Sequence, residues 1–219
     1  MTNDATPHIN IHDALLLDSD PESIVRYYQR WAATYDSDVT ENYFGIQLIA
    51  DLVQQHAQAS SVLSAVTAAE LKIMDVGCGT GLLGKPLYEM GYRHIDGVDL
   101  SAEMLAKADE SGFFRRLFEG VDIHQPLPTE LQRAYDVAVC LGVFTPGHVL
   151  PEALYQLVDM TRPGGLTVIS TRVPYYDTTD YQQVSDRIEA EGVAVLKKSY
   201  MNAPYRDDGD AHYWVYERL

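Results

Sequence analysis

Residues 72–81 read Lys-Ile-Met-Asp-Val-Gly-Cys-Gly-Thr-Gly, an apolar strand that runs into a loop with glycine at every second position. Glycine has no Cβ, so Gly77, Gly79 and Gly81 permit a tight turn and leave room for a ligand to approach the backbone. A helical pattern over 81–90 follows, and the first N–H groups of a helix favour an anionic group. The stretch therefore predicts a strand, loop and helix that bind a ligand at the end of the strand.

A carboxylate at the end of the next apolar strand narrows the class of ligand. Asp99 follows the strand over 94–98, where its oxygens can accept hydrogen bonds from both hydroxyls of a ribose. A dinucleotide oxidoreductase is one alternative, but it uses Gly-x-Gly-x-x-Gly, and here the third glycine comes one residue earlier. Asp75 would also repel a diphosphate, whereas it suits a sulfonium ligand with an ammonium group. The structural alternative is that the glycines only form turns and Asp99 caps the helix that begins at Ala102.

The rest of the chain alternates short apolar runs with helical patterns, which is typical of a parallel sheet built from strand and helix units. The Arg-Pro-Gly-Gly sequence at 162–165 predicts a turn before the fifth strand. We expect a doubly wound α/β fold with a mostly parallel seven-stranded sheet, an antiparallel C-terminal edge hairpin and an N-terminal helical cap. The expected strands are 71–76, 94–98, 116–119, 135–141, 166–171, 193–200 and 211–218, and the expected helices between and after the first five are 81–90, 102–110, 151–161 and 181–191.

The length predicts one domain over residues 1–219, since 219 residues can build one sizeable core. Residues 1–60 form its cap, with one helix from Asp20 that carries Ile24 to Tyr35 on its apolar face and a second over 44–58. Residues 70–172 form the ligand-binding core, and residues 173–219 supply a helix and the edge strands.

Composition disfavours several classes of partner. The chain has 16 Lys and Arg against 32 Asp and Glu, a formal net charge of −16, so we expect binding neither to nucleic acid nor to an anionic membrane. Cys78 and Cys140 form no disulfide framework, and no metal-ligand spacing is visible. With no apolar leader and no segment of about 20 apolar residues, we expect a soluble cytoplasmic protein. The oligomeric state stays open.

Taken together, the motifs resemble those of class I S-adenosylmethionine-dependent methyltransferases with a Rossmann-like fold. Residues 72–81 are similar to the first motif of that family, 97–101 with Met104 to the second, and 162–165 to the turn before strand five. The resemblance implies S-adenosylmethionine as cofactor and S-adenosylhomocysteine as product. It places Asp75 and the loop residues Gly77, Cys78, Gly79 and Gly81 at the methionine part, Asp99 at the ribose, Leu100 and Met104 near the adenine, Asp122 with Ile123 at the adenine amino group, and Leu141 beside the cofactor. The glycine and the acid that the family commonly has adjacent are separated here by Val121.

The N-terminal flank carries a further resemblance. Residues 30–39 contain Trp-Ala-x-x-Tyr-Asp, which resembles the opening of many small-molecule methyltransferases, and together with residues 144–149 they resemble relatives of methyltransferase-like protein 27. In such enzymes the opening helix covers the cofactor. The resemblance implies that Trp31 and Tyr35 approach its methionine end.

The methyl acceptor should lie beyond the carboxyl end of the fourth strand, since open α/β sheets bind ligands there. His148 in that segment is the candidate general base because an imidazole titrates near neutrality. Tyr28, Phe144, Thr145 and Tyr175 are candidates for acceptor binding, and packing or turn roles are the alternative for each. The segment lacks the Asp/Asn-Pro-Pro-aromatic motif of enzymes that methylate nucleobase amino groups.

Methyl transfer from a sulfonium needs alignment and a dry approach path rather than a nucleophilic side chain or a metal. We therefore expect a small-molecule O- or N-methyltransferase. The alternatives are a protein that binds the cofactor without methyl transfer, as a different enzyme or as a binding module, and a protein methyltransferase.

Overall fold

A computed structural model describes residue 9 and residues 11–219, with the side chains of residues 11 and 12 left out. Seven strands in this part of the chain form one sheet in the order β3-β2-β1-β4-β5-β7-β6. The first five strands are parallel to one another, and β7 runs antiparallel to both β5 and β6. The predicted doubly wound fold with an antiparallel C-terminal edge is confirmed. The strands are β1 Lys72–Val76, β2 His94–Asp99, β3 Arg116–Glu119, β4 Tyr135–Phe144, β5 Thr161–Arg172, β6 Ala194–Arg206 and β7 Gly209–Arg218.

Helices cover both faces of the sheet. Successive residues of a strand point to opposite faces, so Ile73 packs with the helix over 44–59 while Met74 packs with the helices over 153–160 and 181–190. The central parallel strands are consequently buried on both sides, as parallel sheets require. The helices are α1 Ile11–Ala14, α2 Pro21–Trp31, α3 Tyr35–Val39, α4 Phe44–Ala59, α5 Gly84–Glu89, α6 Ala102–Glu110, α7 Ala153–Met160, α8 Val173–Thr178 and α9 Tyr181–Ala190. None of the helices in the described part is both long and apolar enough to cross a bilayer.

The first helix of the N-terminal cap is shorter than the helix expected from Asp20 to Tyr35. Asp20 caps α2 as predicted, since its carboxylate accepts a hydrogen bond from Ser23 N at 2.9 Å. The helix ends at Trp31, however, and Tyr35 opens the separate helix α3. Asp38 stabilises the turn between α2 and α3, because its Oδ2 accepts from Trp31 Nε1 at 2.8 Å and from Thr34 Oγ1 at 2.9 Å. Residues 1–8 and 10 of the predicted cap lie outside the described residues.

The Arg-Pro-Gly-Gly segment is a bulge inside β5 and not the turn before it. Tyr135 pairs with Thr161 and Val137 with Leu166, so the extra residues of β5 are accommodated in one irregularity of the ladder. Gly164 has a φ of +77°, which an L-residue adopts only with strain. Strand five therefore begins at Thr161, before the predicted position 166.

Several other elements also depart from the expected ones. The helix expected from 81 begins at Gly84, after one further turn of the loop. Strand β4 continues through Phe144, and the short helix α8 was not predicted. The extended runs over 193–200 and 211–218 are longer strands, β6 and β7, joined by a tight turn.

Candidate active site

A cavity opens at the carboxyl ends of β1, β2, β4 and β5, beneath the N-terminal helices and beside the β6–β7 hairpin. The sheet places it where ligands of doubly wound folds bind. Its lining includes most of the residues proposed from the sequence: Tyr28, Tyr35, Gly77, Gly79, Asp99, Leu100, Met104, Asp122, Ile123, Leu141, Thr145 and His148.

Two backbone N–H groups hold Asp99 in place at the end of β2. Gly79 N donates to Asp99 Oδ2 at 2.9 Å, and Ser101 N donates to Oδ1 at 2.9 Å. Burial raises the pKa of Asp99, while these N–H groups oppose that rise. Helix α6 takes its cap from Ser101, whose Oγ accepts from Met104 N at 3.3 Å, so Asp99 has no capping role. The hydrogen bonds from Gly79 and Ser101 thus fix the orientation of the Asp99 carboxylate, and Asp99 lines the cavity.

The first two glycines of the loop shape the cavity. A Cβ on Gly77 would lie 2.3 Å from Val143 Cγ2, whereas a Cβ on Gly79 would meet nothing within 4 Å, and both residues have positive φ. Gly77 is needed for close packing of the loop against β4. Gly79 leaves open space beside Asp99, which fits a ligand close to the backbone.

Cys78 and Gly81 belong to the other side of the loop. Cys78 packs with Leu105 and Ala108 of α6, and a Cβ on Gly81 would lie 2.7 Å from Phe114. Neither residue lines the cavity. The sequence placed both at the cofactor, but in the structure they seat the loop on α6.

Asp75 is buried behind the cavity wall and not part of its lining. Its Oδ2 has no hydrogen-bond partner among the described residues. Burial, and then the charge of Asp99, raise the pKa of Asp75 to about 8. The carboxyl is thus mostly protonated at pH 7, in contrast to the fixed negative charge that the sequence suggested.

The region expected to hold the adenine lies between α6 and the segment after β3. Leu100, Met104 and Ile123 line it together with Asp122. His124 Nε2 accepts from Leu150 N at 3.2 Å, so its proton is on Nδ1, which donates to Asp122 Oδ1 at 2.9 Å. This contact orients the Asp122 carboxylate despite the intervening Val121.

Tyr28 and His148 form a hydrogen-bonded pair in the cavity. His148 Nδ1 lies 3.0 Å from the carbonyl of Pro146 and must donate to it, because a carbonyl only accepts. His148 Nε2 is then an acceptor and receives the Tyr28 hydroxyl at 2.7 Å. Burial lowers the pKa of His148 and raises that of Tyr28, so both side chains are neutral at pH 7.

Three aromatic residues predicted at the site lie behind its wall. Phe144 and Tyr175 are buried in the core with ring centroids 5.9 Å apart, and Phe144 also packs against Tyr181. Trp31 supports Tyr35 at a centroid distance of 4.8 Å. None of the three lines the cavity, so their contribution is to hold the residues that do.

The cap is fastened to the glycine loop through the residue after Tyr35. Thr80 Oγ1 donates to Asp36 Oδ1 at 2.5 Å. Tyr35 and Asp36 of the N-terminal motif therefore have different roles. Tyr35 lines the cavity, and Asp36 anchors α3 to the glycine loop.

The sequence places residues 172–219 beside the acceptor but does not single out the residues with which the C-terminal hairpin lines the cavity. Tyr205 lines the cavity with Arg172 and Arg206, and its hydroxyl lies 2.7 Å from that of Tyr43. Arg172 could have been predicted at the cavity, because it stands at the carboxyl end of an apolar strand, where doubly wound folds bind ligands. Tyr43, Tyr205 and Arg206 could not, since their positions depend on how the hairpin pairs. The other missed lining residues are Ala14, Leu15, Ile24, Val39, Val76, Val98, Val121, His124, Gly142, Val143 and Val149.

Comparison with protein families identifies the architecture. A family model described as a methyltransferase domain matches residues 42–218. The chain belongs to this methyltransferase family. The match includes the glycine loop, Asp99 and the hairpin, and it begins after the cap helices that carry Tyr28 and Tyr35.

Individual relatives agree with this assignment. The chain is 35% identical to human methyltransferase-like protein 27 over 149 residues, 68% of this chain and 57% of that protein. It is 36% identical over 103 residues to the malonyl-[acyl-carrier protein] O-methyltransferase of Pectobacterium atrosepticum, which covers 46% of this chain and 38% of that protein. It is 33% identical over 108 residues to a ubiquinone biosynthesis O-methyltransferase of Rickettsia felis, which covers 47% and 42%. The chain thus spans between about two fifths and just over half of the length of these relatives.

Solved structures share the fold at low sequence identity. The magnesium protoporphyrin IX methyltransferase of Synechocystis, with bound S-adenosylmethionine, has a TM-score of 0.64 at 17% identity, over 91% of this chain and 98% of that one. A TehB-like S-adenosylmethionine-dependent methyltransferase of Corynebacterium glutamicum has a TM-score of 0.60 at 19% identity, over 91% and 100%. The Rossmann-like methyltransferase fold predicted from the motifs is confirmed.

Proposed function

We propose that this chain uses S-adenosylmethionine to methylate an oxygen or nitrogen of a small-molecule acceptor. The observation that carries the proposal is that one cavity contains both an oriented carboxylate, Asp99, and a neutral hydrogen-bonded pair, Tyr28 and His148. The carboxylate of Asp99 suits hydrogen bonding to a ribose. The Tyr28–His148 pair suits uptake of the proton that the acceptor loses on methylation.

The hydrogen-bond acceptors of the cavity fit this cofactor. Asp99 is positioned to accept from ribose hydroxyls, and Asp122 to accept from an adenine amino group between Leu100 and Met104. When bound, S-adenosylmethionine supplies an electrophilic methyl group on a sulfonium whose sulfur departs neutral. Structural relatives crystallised with this molecule and with S-adenosylhomocysteine support the same choice.

Tyr28 and His148 can take up the acceptor's proton together. Tyr28 Oη accepts the proton from the acceptor while its own hydroxyl proton passes to His148 Nε2. The raised pKa of Tyr28 disfavours a standing phenolate, so the two transfers are coupled. The lowered pKa of His148 means that the imidazolium then releases its proton readily. The carbonyl of Pro146 keeps the productive tautomer in place.

Other features support the remaining parts of the proposal. Thr145 and Tyr28 form the acceptor wall, with Phe144 and Tyr175 as its support. A net charge of −16 argues against nucleic acid as acceptor. Cys78 and Cys140 are buried free thiols, which is consistent with a reducing cytoplasm.

Labelled S-adenosylmethionine, incubated with the protein and a panel of hydroxyl- and amine-bearing metabolites, tests the function. We expect methyl transfer to at least one member of the panel. Cofactor binding measured by calorimetry, with no transfer to any metabolite or protein substrate, would favour a non-transferring binding protein. Transfer only to a protein substrate would indicate a protein methyltransferase.

The chain offers a matched control for the proton-accepting pair. Tyr200 and His56 form a similar pair, with the hydroxyl 3.0 Å from Nε2, outside the cavity. Tyr28→Phe and His148→Gln should each lower turnover roughly 10²- to 10⁴-fold, the usual range for general base catalysis, with little effect on S-adenosylhomocysteine affinity. Tyr200→Phe and His56→Gln should leave turnover unchanged. Equal effects in both pairs would contradict a catalytic role for Tyr28 and His148.

A further inference from the structure

Two arginines form part of the cavity wall on the side of the β6–β7 hairpin. Arg172 is the last residue of β5 and Arg206 the last residue of β6, and both line the cavity. Their side chains are only 8% and 9% exposed. Arginine is almost never this buried unless it is paired. The hydrogen-bond partners of the two guanidinium groups therefore indicate their role.

The two guanidinium groups share one carboxylate. Arg172 Nη2 lies 3.3 Å from Asp208 Oδ1, and Arg206 binds the same carboxylate through Nε at 3.2 Å and Nη2 at 2.5 Å. Burial alone would raise the pKa of Asp208, but the hydrogen bonds and charges of Arg206 and Arg172 hold it below its ordinary value. The neighbouring Asp207 is engaged elsewhere and accepts from Asn42 Nδ2 at 2.7 Å. Arg172, Arg206 and Asp208 together carry one more positive than negative charge.

Arg172 is incompletely satisfied by the protein. Its guanidinium stacks over the ring of Tyr205, with Cζ 4.6 Å from the centroid. Its Nε is buried and has no hydrogen-bond partner anywhere in residues 13–219. A guanidinium offers five N–H donors, and a buried donor without a partner is destabilising, more so on a charged group. An oxygen ligand in the cavity would remove that cost.

We propose that Arg172 and Arg206 bind a carboxylate on the methyl acceptor, so that the substrate is a small carboxylic acid whose hydroxyl or amine is methylated. The inference rests on the proposed function. Planar guanidinium groups suit a carboxylate because their N–H donors match its two oxygens. The excess positive charge complements an anion in an otherwise strongly acidic chain.

The position of the pair in the sheet favours the acceptor over the cofactor's own carboxylate. Strand β5 is separated from β1, which carries the glycine loop, by β4. At about 4.8 Å between strands, β5 lies roughly 10 Å from β1 across the sheet. Gly142 and Thr145, at and just beyond the end of β4, line the cavity between them. The arginines thus border the side of the cavity next to the expected acceptor.

Binding measurements on the S-adenosylhomocysteine complex test the proposal with defined probes. The probes are 4-hydroxybenzoate and 3-hydroxybutyrate, each compared with its carboxamide by calorimetry and thermal shift. We expect the acids to bind and to raise the melting temperature, and the amides to bind at least 10-fold more weakly. Arg172→Gln and Arg206→Gln should each weaken acid binding at least 10-fold while S-adenosylhomocysteine affinity changes less than twofold. Acids that bind no better than amides would overturn the proposal.

A second arm separates the two sources of carboxylate. S-adenosylhomocysteine is compared with its analogue that lacks the methionine carboxylate. If the arginine variants lose affinity for the former and not for the latter, the pair binds the cofactor and the acceptor proposal fails. Intact cofactor binding and methyl transfer in the wild-type protein would show that the broader function still holds.

Two control variants distinguish a binding role of Arg172 and Arg206 from a purely structural one. Asp208→Asn removes the competing carboxylate and keeps both arginines, so acid affinity should be retained or increased; a loss would mean that the pair serves only to hold the hairpin. Arg162→Gln breaks a comparable ion pair, with Asp136 at 2.6 Å, on the same strand but outside the cavity. It should lower stability without changing acid affinity.

Discussion

Asp75 is a buried carboxyl whose protonation state depends on its surroundings. Its pKa of about 8 lies far above that of an unfolded aspartate, near 3.9. Between these values the folded protein binds a proton that the unfolded chain does not, so this residue makes stability fall as pH rises from about 4 to 8. Asp99, Cys78 and Cys140 are the titratable groups whose charges couple to it.

Replacing Asp75 by Asn should therefore flatten part of the pH dependence of stability. We expect the difference in melting temperature between pH 6 and pH 9, without cofactor, to be smaller in Asp75→Asn than in the wild type. Differential scanning calorimetry at both pH values measures this. An unchanged difference would mean that Asp75 is already ionised at pH 6.

Asp99 should contribute to cofactor affinity through hydrogen bonds to the ribose. Asp99→Asn is expected to weaken S-adenosylhomocysteine binding by about 1 to 3 kcal/mol, the range for hydrogen bonds to a charged group. Asp96→Asn is the matched control, because Asp96 is a buried acid on the same strand that binds Arg115, Arg116 and Tyr135 away from the cavity. Calorimetric affinity that falls equally in both variants would contradict the ribose contact.

The end of strand β4 illustrates how an element shapes the site. Gly142 has a φ of +80°, and a Cβ there would lie 2.8 Å from the Tyr205 hydroxyl and 3.0 Å from that of Tyr43. The strand must pass close beneath these tyrosines. The position consequently combines an unusual backbone conformation with a steric requirement that comes from the hairpin.

Gly142→Ala should cost both stability and ligand binding. A left-handed backbone alone costs an L-residue roughly 1 to 2 kcal/mol, and the clash with Tyr205 adds to this. Gly192→Ala isolates the first contribution, since Gly192 has a φ of +68° with nothing within 4 Å of its Cβ position. Urea unfolding should show a larger loss for Gly142→Ala, and only that variant should bind S-adenosylhomocysteine more weakly. Equal losses would mean that Tyr205 and Tyr43 simply move aside.

Elements also show what sequence can and cannot predict. Gly77 and Asp99 both line the cavity, and the sequence brings them together because strand, loop and acid follow one another locally along the chain. The bulge in β5 and the turn after Trp31 depend on contacts with Tyr135 and Asp38 that hydrophobic periodicity does not contain. Arg206 and Tyr205 reach the cavity only through the pairing of β6 with β7. The raised pKa of Asp75 comes from its burial and then from the charge of Asp99, and both depend on the folded structure.

At the scale of the whole molecule, the two largest apolar clusters lie on opposite faces of the same sheet. Neighbouring residues of one strand, Ile73 and Met74, belong to different clusters. Loss of either cluster would expose one face of every central strand. The arrangement favours unfolding as one unit, in line with the predicted single domain over residues 1–219.

We expect one cooperative transition on heating, with equal calorimetric and van't Hoff enthalpies. Scanning calorimetry in the presence of S-adenosylhomocysteine should shift that single transition upward, because the ligand binds only the folded state. Two separable transitions, of which only one responds to the ligand, would contradict the single-domain prediction.

The position of β7 has a consequence for synthesis on the ribosome. This strand follows β6 in the chain but lies between β5 and β6, so β6 has no place in the sheet until β7 has been made. Tyr205 and Arg206 are therefore translated before the strand that carries them to Arg172. While the nascent chain is still short of residue 209, the glycine loop can fold with its neighbours, but the cavity has no hairpin wall. Binding of the proposed carboxylate acceptor during translation should accordingly begin only after β7 has left the exit tunnel.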